Sequence, residues 1–173
     1  DIFFYKLAEK VNVDRLSEMA RKFGLGDILG LDLGGEESGL VPDKRWKEKR
    51  LKESWYLGDT FHYGIGQGYL LTTPLQVNAW TQIIANGGTL YTPRLIKAEP
   101  VSKANHILDT KTLSLITQGM IDSCRPGGVA FSFYDFKVKN PKLKIDGKNY
   151  LSVASASSDM RQIPVACKTG TAQ

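Results

Sequence analysis

Apolar residues recur at helical spacing from the start of the chain. Phe3, Phe4, Leu7, Ala8 and Val11 share one face, Asn12 interrupts, and Leu16, Met19, Ala20 and Phe23 form a second stripe. The pattern predicts two helices over residues 1–23, with Asp14 placed to cap the second and Gly24 to stop it. Phe3 and Phe4 are expected on a buried face. The glycine-rich stretch 24–42 predicts loops with one or two very short strands. Thr73, Pro74 and Gln76 spell a capping box with proline in the first helical turn. Val77, Trp80, Ile83 and Ile84 would be the buried face of that helix, and Asn86-Gly87-Gly88 its end.

Farther on, "LYTPRLIKAEP" (90–100) reads as extended. A further helix is expected from Thr110 to Cys124, with Asp109 as cap, a stripe of Leu113, Ile116 and Met120, and a stop at Arg125-Pro126-Gly127-Gly128. The alternation in "VAFSFYDFKV" predicts a strand with Val129, Phe131 and Phe133 on one face. Turn signals at Asn140-Pro141 and Asp146-Gly147 predict a hairpin insertion over about 132–162. Its lysines (137, 139, 142, 144 and 148) are expected to be solvated and to protect the edge. "QIPVACKTGT" (162–171) reads as a strand.

Composition changes this picture little. With 173 residues, 42% hydrophobic and 24% charged, the chain has the mix of an ordinary globular domain. A net charge of +5 is mild. The densest charge lies at 43–59, where Lys44, Arg45, Lys47, Lys49, Arg50 and Lys52 interleave with Trp46 and Trp55. Such a stretch can bind nucleic acid by stacking and phosphate contact. Asp43, Glu48 and Glu53 dilute it, so a solvated surface segment pinned by two tryptophans is the better reading. Cys124 and Cys167 form no CxxC pair and are expected as two free, buried thiols. No stretch approaches the length of a membrane span, and Asp1 leads into "IFFYKLAEKV" without a signal-peptide pattern.

Candidate chemistry is sparse. His62 and His106 are the only histidines. Neither lies in a nucleophile-elbow context, and they give no metal-ligand spacing. Gly64, Gly66 and Gly68 miss the dinucleotide fingerprint, because Tyr69 stands where the third glycine belongs. Lys168-Thr169-Gly170-Thr171 remains. An ammonium, two hydroxyls and a glycine on an extended segment suit an anion cradle. The glycine leaves room for another backbone, and an N–H there can serve an oxyanion hole.

This K-T-G is the third element of the penicillin-recognising serine enzymes. Together with "WKEKRLKESWYLGDT", "GIGQGYLLTTPLQ" and "ANGG", in that order, it makes the chain resemble the class B penicillin-binding proteins over essentially its whole length. The first block looks like the elongation-type penicillin-binding protein 2 branch. The resemblance is weakest at about 132–162.

The resemblance implies an α+β fold, an antiparallel sheet sandwiched by helices as in serine β-lactamases, here reduced to the helical part plus the KTG strand. All of residues 1–173 would belong to one transpeptidase domain, from the second-motif helix to that strand. It implies a D,D-transpeptidase that cross-links peptidoglycan stem peptides through a serine acyl-enzyme and is acylated by β-lactams, with no cofactor and no metal. Lys168 would shape the field around the nucleophile. Thr169 and Thr171 would hold the donor carboxylate, Gly170 would keep the edge clear, and the Thr171 N–H would be an oxyanion donor. Asp1 would end a second motif of S-x-D form, which an aromatic helix follows. No serine here has a lysine three places on, so the S-x-x-K nucleophile is expected upstream and this chain alone is expected to be inactive. Implied partners are a membrane-embedded glycosyltransferase, stem peptides and β-lactams, but not nucleic acid. The implied location is the extracytoplasmic face of the bacterial cytoplasmic membrane, with the anchor outside this chain. Two rivals stand beside this reading: an inactive β-lactam-sensing or scaffolding relative, and a basic nucleic-acid or polymer-binding module built on 44–55.

Overall fold

The computed structural model describes residues 1–139, 160–162 and 165–170. The chain divides into two units, Asp1–Asp109 and Thr110–Gln173.

The first unit opens with α1 (Ile2–Val11) and α2 (Val13–Lys22). Asn12 does more than interrupt. Its backbone turns to φ 67°, and its side-chain oxygen accepts the N–H groups of Asp14 and Arg15 at 3.0 and 3.2 Å. Asn12, not Asp14, is therefore the cap, and Asp14 sits in the first turn, where a negative charge suits the helix dipole. The buried position of α1 is Ala8, which lies against Gly64 of α4 (Leu57–Gly64). A Cβ at Gly64 would collide with the Ala8 methyl, so glycine is what lets the two helices approach. Phe3 and Phe4 are not core residues. They meet edge to face at 5.3 Å and stay 71% and 53% exposed, because the α1–α4 contact runs through Ala8 and the Tyr5–Phe61 ring pair instead.

The charged stretch folds as α3 (Lys44–Leu51), capped by Asp43 through the Trp46 N–H at 2.7 Å. Between α2 and α3 the chain is loop, as expected, with one isolated bridge pairing Leu40 and Leu71. Gly39 enters that bridge at φ +64°, where a Cβ would strike the Leu71 carbonyl. α5 (Pro74–Ala85) starts as the sequence predicts: Thr73 Oγ1 accepts the Gln76 N–H at 3.2 Å, and Gln76 Oε1 accepts the Thr73 N–H at 3.0 Å. Its buried face is rotated from expectation. Gln76, Ala79 and Ile83 are inside, whereas Val77 and Trp80 are 42% and 37% exposed. β1 (Leu90–Tyr91) and β2 (Ser102–Ala104) pair antiparallel.

Two apolar clusters hold this unit. Val13, Leu25, Val41 and Tyr63 form one, with Leu16, Ala20, Trp55 and Leu70 against it. Leu29, Ala79, Ile83 and Leu90 form the other, flanked by Phe23, Leu75, Ala104 and Ile107. Gln76, fully buried, ties the glycine-rich loops to α5: its amide nitrogen donates to the carbonyls of Gly24, Asp27 and Ser38 at 3.4, 3.0 and 2.8 Å. Those carbonyls would otherwise be costly to bury.

The second unit holds α6 (Thr110–Ser123), a single 3₁₀ turn at Phe131–Phe133, and an antiparallel pair of β3 (Lys137–Lys139) and β4 (Met160–Gln162). The strand expected over 129–138 forms only at its end. Residues 130–136 instead close tight turns, with the Phe133, Tyr134 and Phe136 N–H groups donating to Ala130, Phe131 and Phe133. Alternation makes a strand only where a partner lies alongside, and among the described residues the pairing with β4 begins at Lys137. Val129, Phe131 and Phe133 are left exposed. Lys137 is exposed as expected; the turn signals at 140–141 and 146–147 and lysines 142, 144 and 148 lie outside the described residues.

Candidate functional site

The K-T-G residues stand just past a helix end. A helix leaves its last four carbonyls without intrahelical donors. In α6 all four are satisfied: Ile121, Asp122 and Ser123 accept the N–H groups of Cys124, Arg125 and Ala130 at 3.1, 3.2 and 2.9 Å. The fourth, Met120, accepts the N–H of Cys167 at 3.0 Å, which fixes the backbone one residue before Lys168 to the helix. Gly128 makes the turn possible, since a Cβ there would collide with the Asp122 and Ser123 carbonyls.

Cys124 and Cys167 are joined as a disulfide with Cα atoms 6.0 Å apart. The expectation of two free thiols is therefore wrong. The residues are 43 apart in sequence, but the chain returns to the end of α6 and brings them together. Cys124 is buried and Cys167 half-buried. Two cysteines with no CxxC spacing can still pair when the fold brings them together, and sequence spacing does not encode that.

The strand expected over 162–171 is also corrected. Gln162 lies in β4, Val165–Gly170 forms no strand among the described residues, and 163–164 and 171 lie outside them. Among the described residues this segment is held at Cys167, by its N–H bond to the Met120 carbonyl and its covalent bond to Cys124. Lys168, Thr169 and Gly170 are exposed. The Lys168 ammonium folds back onto the Thr169 carbonyl. A Cβ at Gly170 would meet nothing among the described residues within 4 Å. Thr171 lies outside the described residues. Asp1 belongs to the first unit. It is exposed at the N-cap of α1, its carbonyl accepts the Tyr5 N–H at 3.0 Å, and its carboxylate makes no capping bond.

The basic segment is less free than its sequence suggests. Lys47, expected in solvent, is 2% exposed. Its ammonium binds Asp59 at 2.7 Å and lies 4.8 Å from the Tyr56 ring centroid. The Asp59 hydrogen bond holds its pKa above the ordinary lysine value, burial opposing. Lys44 pairs with Asp14 at 2.8 Å. The tryptophans do pin the segment: Trp46 packs on Tyr69, and the Trp55 indole N–H donates to Thr60 at 2.8 Å. Elsewhere Glu36 fills a ring of backbone donors. Desolvation pushes its carboxyl up, but the N–H groups of Leu29, Leu31 and Gly30 more than offset this and leave its pKa below the usual carboxylate value. Among the described residues no cluster of three His, Cys, Asp or Glu side chains could hold a metal. No helix described is long and apolar enough to cross a membrane.

The structure thus shows a helix-rich α+β chain whose exposed K-T-G residues lie beside the end of α6. The particular family is shown by comparison: residues 1–173 match the penicillin binding protein transpeptidase domain, and the chain belongs to that family. Among curated relatives, the peptidoglycan D,D-transpeptidase MrdA of Escherichia coli K12 is 47% identical over 96 residues, which is 56% of this chain and 15% of that protein. Among solved structures, PBP2 of Helicobacter pylori, determined in complex with MreC, superposes with a TM-score of 0.70 at 38% identity. The match covers 78% of this chain and 26% of that one. Pseudomonas aeruginosa PBP2 in complex with WCK 5153 gives 0.68 at 32% identity, covering 76% and 32%. The chain thus spans about 15% of the length of its curated relatives and about a quarter to a third of the solved chains.

Proposed function

We propose that this chain is part of the catalytic domain of an elongation-type peptidoglycan D,D-transpeptidase. In this reading a serine outside residues 1–173 attacks the D-Ala-D-Ala bond of a stem peptide. The terminal D-Ala leaves, and the acyl group passes to an amine of a neighbouring stem peptide. β-Lactams acylate the same serine. Lys168 supplies positive charge beside the nucleophile. Thr169 and Thr171 hold the donor carboxylate, and the Thr171 N–H faces the developing oxyanion. Gly170 keeps the edge clear for the substrate backbone. Asp1 closes the second motif.

One observation carries the reading. In a chain that matches the family along its length, Lys168, Thr169 and Gly170 stand exposed, with nothing among the described residues crowding the glycine. The nucleic-acid alternative loses support because Lys47 and Lys44 are already paired with carboxylates. The Cys124–Cys167 disulfide supports an extracytoplasmic location, since disulfides persist in oxidising compartments. The proposed partner is a membrane-embedded glycosyltransferase, in keeping with a related chain from a peptidoglycan synthase complex that coordinates polymerization and crosslinking.

A fluorescent penicillin tests this directly. Residues 1–173 alone should take no covalent label. A longer polypeptide that adds the flanking S-x-x-K sequence should be labelled, and Lys168→Ala should abolish most of that label. Stable labelling of the short chain, or unchanged labelling of the Lys168 variant, would refute the roles assigned here.

A further inference from the structure

We propose that Arg45, Lys49 and Lys52 form a docking ridge for an uncross-linked peptidoglycan strand, held by the carboxylates of its stem peptides. The inference rests on the proposed function for its substrate. Its grounds are separate: they lie in the first unit, whereas the K-T-G residues lie in the second.

Residues 44–52 carry six cations, and the fold treats them in two ways. Lys47 is buried on Asp59, and Lys44 is paired with Asp14. Arg45, Lys49, Arg50 and Lys52 are exposed, and no carboxylate among the described residues pairs with them. Arg45, Lys49 and Lys52 stand at i, i+4 and i+7, which is one side of a helix. Lys52 keeps that register as the C-cap of α3, because its N–H donates to the Glu48 carbonyl at 3.2 Å. The row is about 10 Å long. Glu48 is exposed beside it and is the acidic residue of α3. The other nearby acids are engaged: Asp43 by Arg21, Asp14 by Lys44, and Glu53 faces Lys47 at 3.6 Å.

The contacts behind the ridge fix α3 in place. Asp43 caps it, Trp46 packs on Tyr69, and Lys47 is locked to Asp59. The cations therefore stand on a helix that is already ordered, and little backbone entropy remains to be lost on binding. A face of unpaired cations is costly to bury in a core, so it stays toward solvent.

The occupant follows from the proposed reaction. Each uncross-linked stem peptide ends in the carboxylate of its terminal D-Ala. A strand bearing many such peptides is a polyanion with a repeated, flexible carboxylate. Cross-linking removes one D-Ala, with its carboxylate, from each donor peptide. The ridge therefore favours strands still to be cross-linked over finished wall. Arg45 can grip a carboxylate through two parallel N–H bonds, and the lysines act as point charges. Exposed ionic contacts are weak singly, so the row acts through several at once. A strand held at α3 keeps its other stem peptides at raised local concentration around the same molecule.

The test uses the longer polypeptide that carries the S-x-x-K sequence, first acylated with penicillin so that the active site is filled. Its binding to dye-labelled, uncross-linked strands ending in D-Ala-D-Ala is read by fluorescence anisotropy. Arg45→Ala/Lys49→Ala/Lys52→Ala should weaken binding by about tenfold, as expected from three exposed ionic contacts. Arg45→Lys/Lys49→Arg/Lys52→Arg, which keeps the charges, should retain it. Added salt should weaken the wild type far more than the alanine variant. Strands whose carboxylates have been converted to amides with carbodiimide and ammonia should bind the wild type as weakly as intact strands bind the alanine variant. The amidated strands need no variant, so they decide even if a variant fails to fold. Undiminished binding of amidated strands, or of intact strands by the alanine variant, would overturn the proposal. So would tighter binding of a single-stranded oligonucleotide or of anionic phospholipid vesicles through the same three residues, which would assign the ridge to another class of partner. Penicillin-labelled protein that holds no strands would sink this inference and leave the function intact. Protein that takes no label yet holds strands through α3 would sink the function and leave the ridge.

Discussion

The two units of this chain are held together in different ways. Asp1–Asp109 has two apolar clusters, a fully buried glutamine joining three loops, and a buried lysine–aspartate pair. In Thr110–Gln173 the buried residues among those described are Cys124 and Ala130, and cohesion comes from a disulfide and the satisfied end of α6. The K-T-G residues are in the second unit. Sparsely packed segments open at low free-energy cost, which suits residues that must receive a ligand but leaves their position to be set by a few strong bonds.

The contrast breaks if one unit responds to changes meant for the other. Reducing the disulfide should have the largest effect. A closed loop of 43 residues contributes about 4 kcal/mol by the chain-entropy estimate. Hydrogen exchange should accelerate along α6 while α5 keeps its protection. Gln76→Leu should follow, at about 3 kcal/mol, because it leaves buried carbonyls of Gly24, Asp27 and Ser38 without a donor. Urea unfolding should show that loss, with exchange in α6 unaltered. Gly64→Val should cost about 2 kcal/mol by forcing α1 away from α4, read as a lower thermal midpoint. Thr73→Ala should remove about 1 kcal/mol by uncapping α5.

The smallest effect concerns acid. The Glu36 and Asp43 carboxyls have folded pKa values below their ordinary ones; for Asp43, desolvation is outweighed by the Trp46 N–H and Arg21. A depressed carboxyl contributes stability that is present above its unfolded pKa and lost as pH falls through the folded value. The thermal midpoint of the first unit should therefore be flat between neutrality and about pH 5. It should fall as pH drops through and below about 4. Glu36→Gln should flatten part of that fall in a melting series.

Much of this was legible locally. The helices of 1–23, the capping box at Thr73 and the end of α6 near Arg125 follow from short-range rules, which act within a turn or two of chain. What failed did so for tertiary reasons. α3 and α4 were missed because their charged and mixed sequences carry no clean stripe. Their helical state depends on Asp43 as a cap and on Lys47 turned inward to Asp59. Phe3 and Phe4 were placed in the core because periodicity identifies an apolar face without saying what covers it.

The sequence by itself determined the family, the capped helices and the identity of the K-T-G residues, since each depends on residue types at short, fixed spacing. Only the tertiary structure decided that Cys124 meets Cys167 and that Lys47 is buried. Those outcomes depend on which distant segments return to the same place. No local pattern encodes that, because contact between residues 43 apart is set by how the whole intervening chain packs.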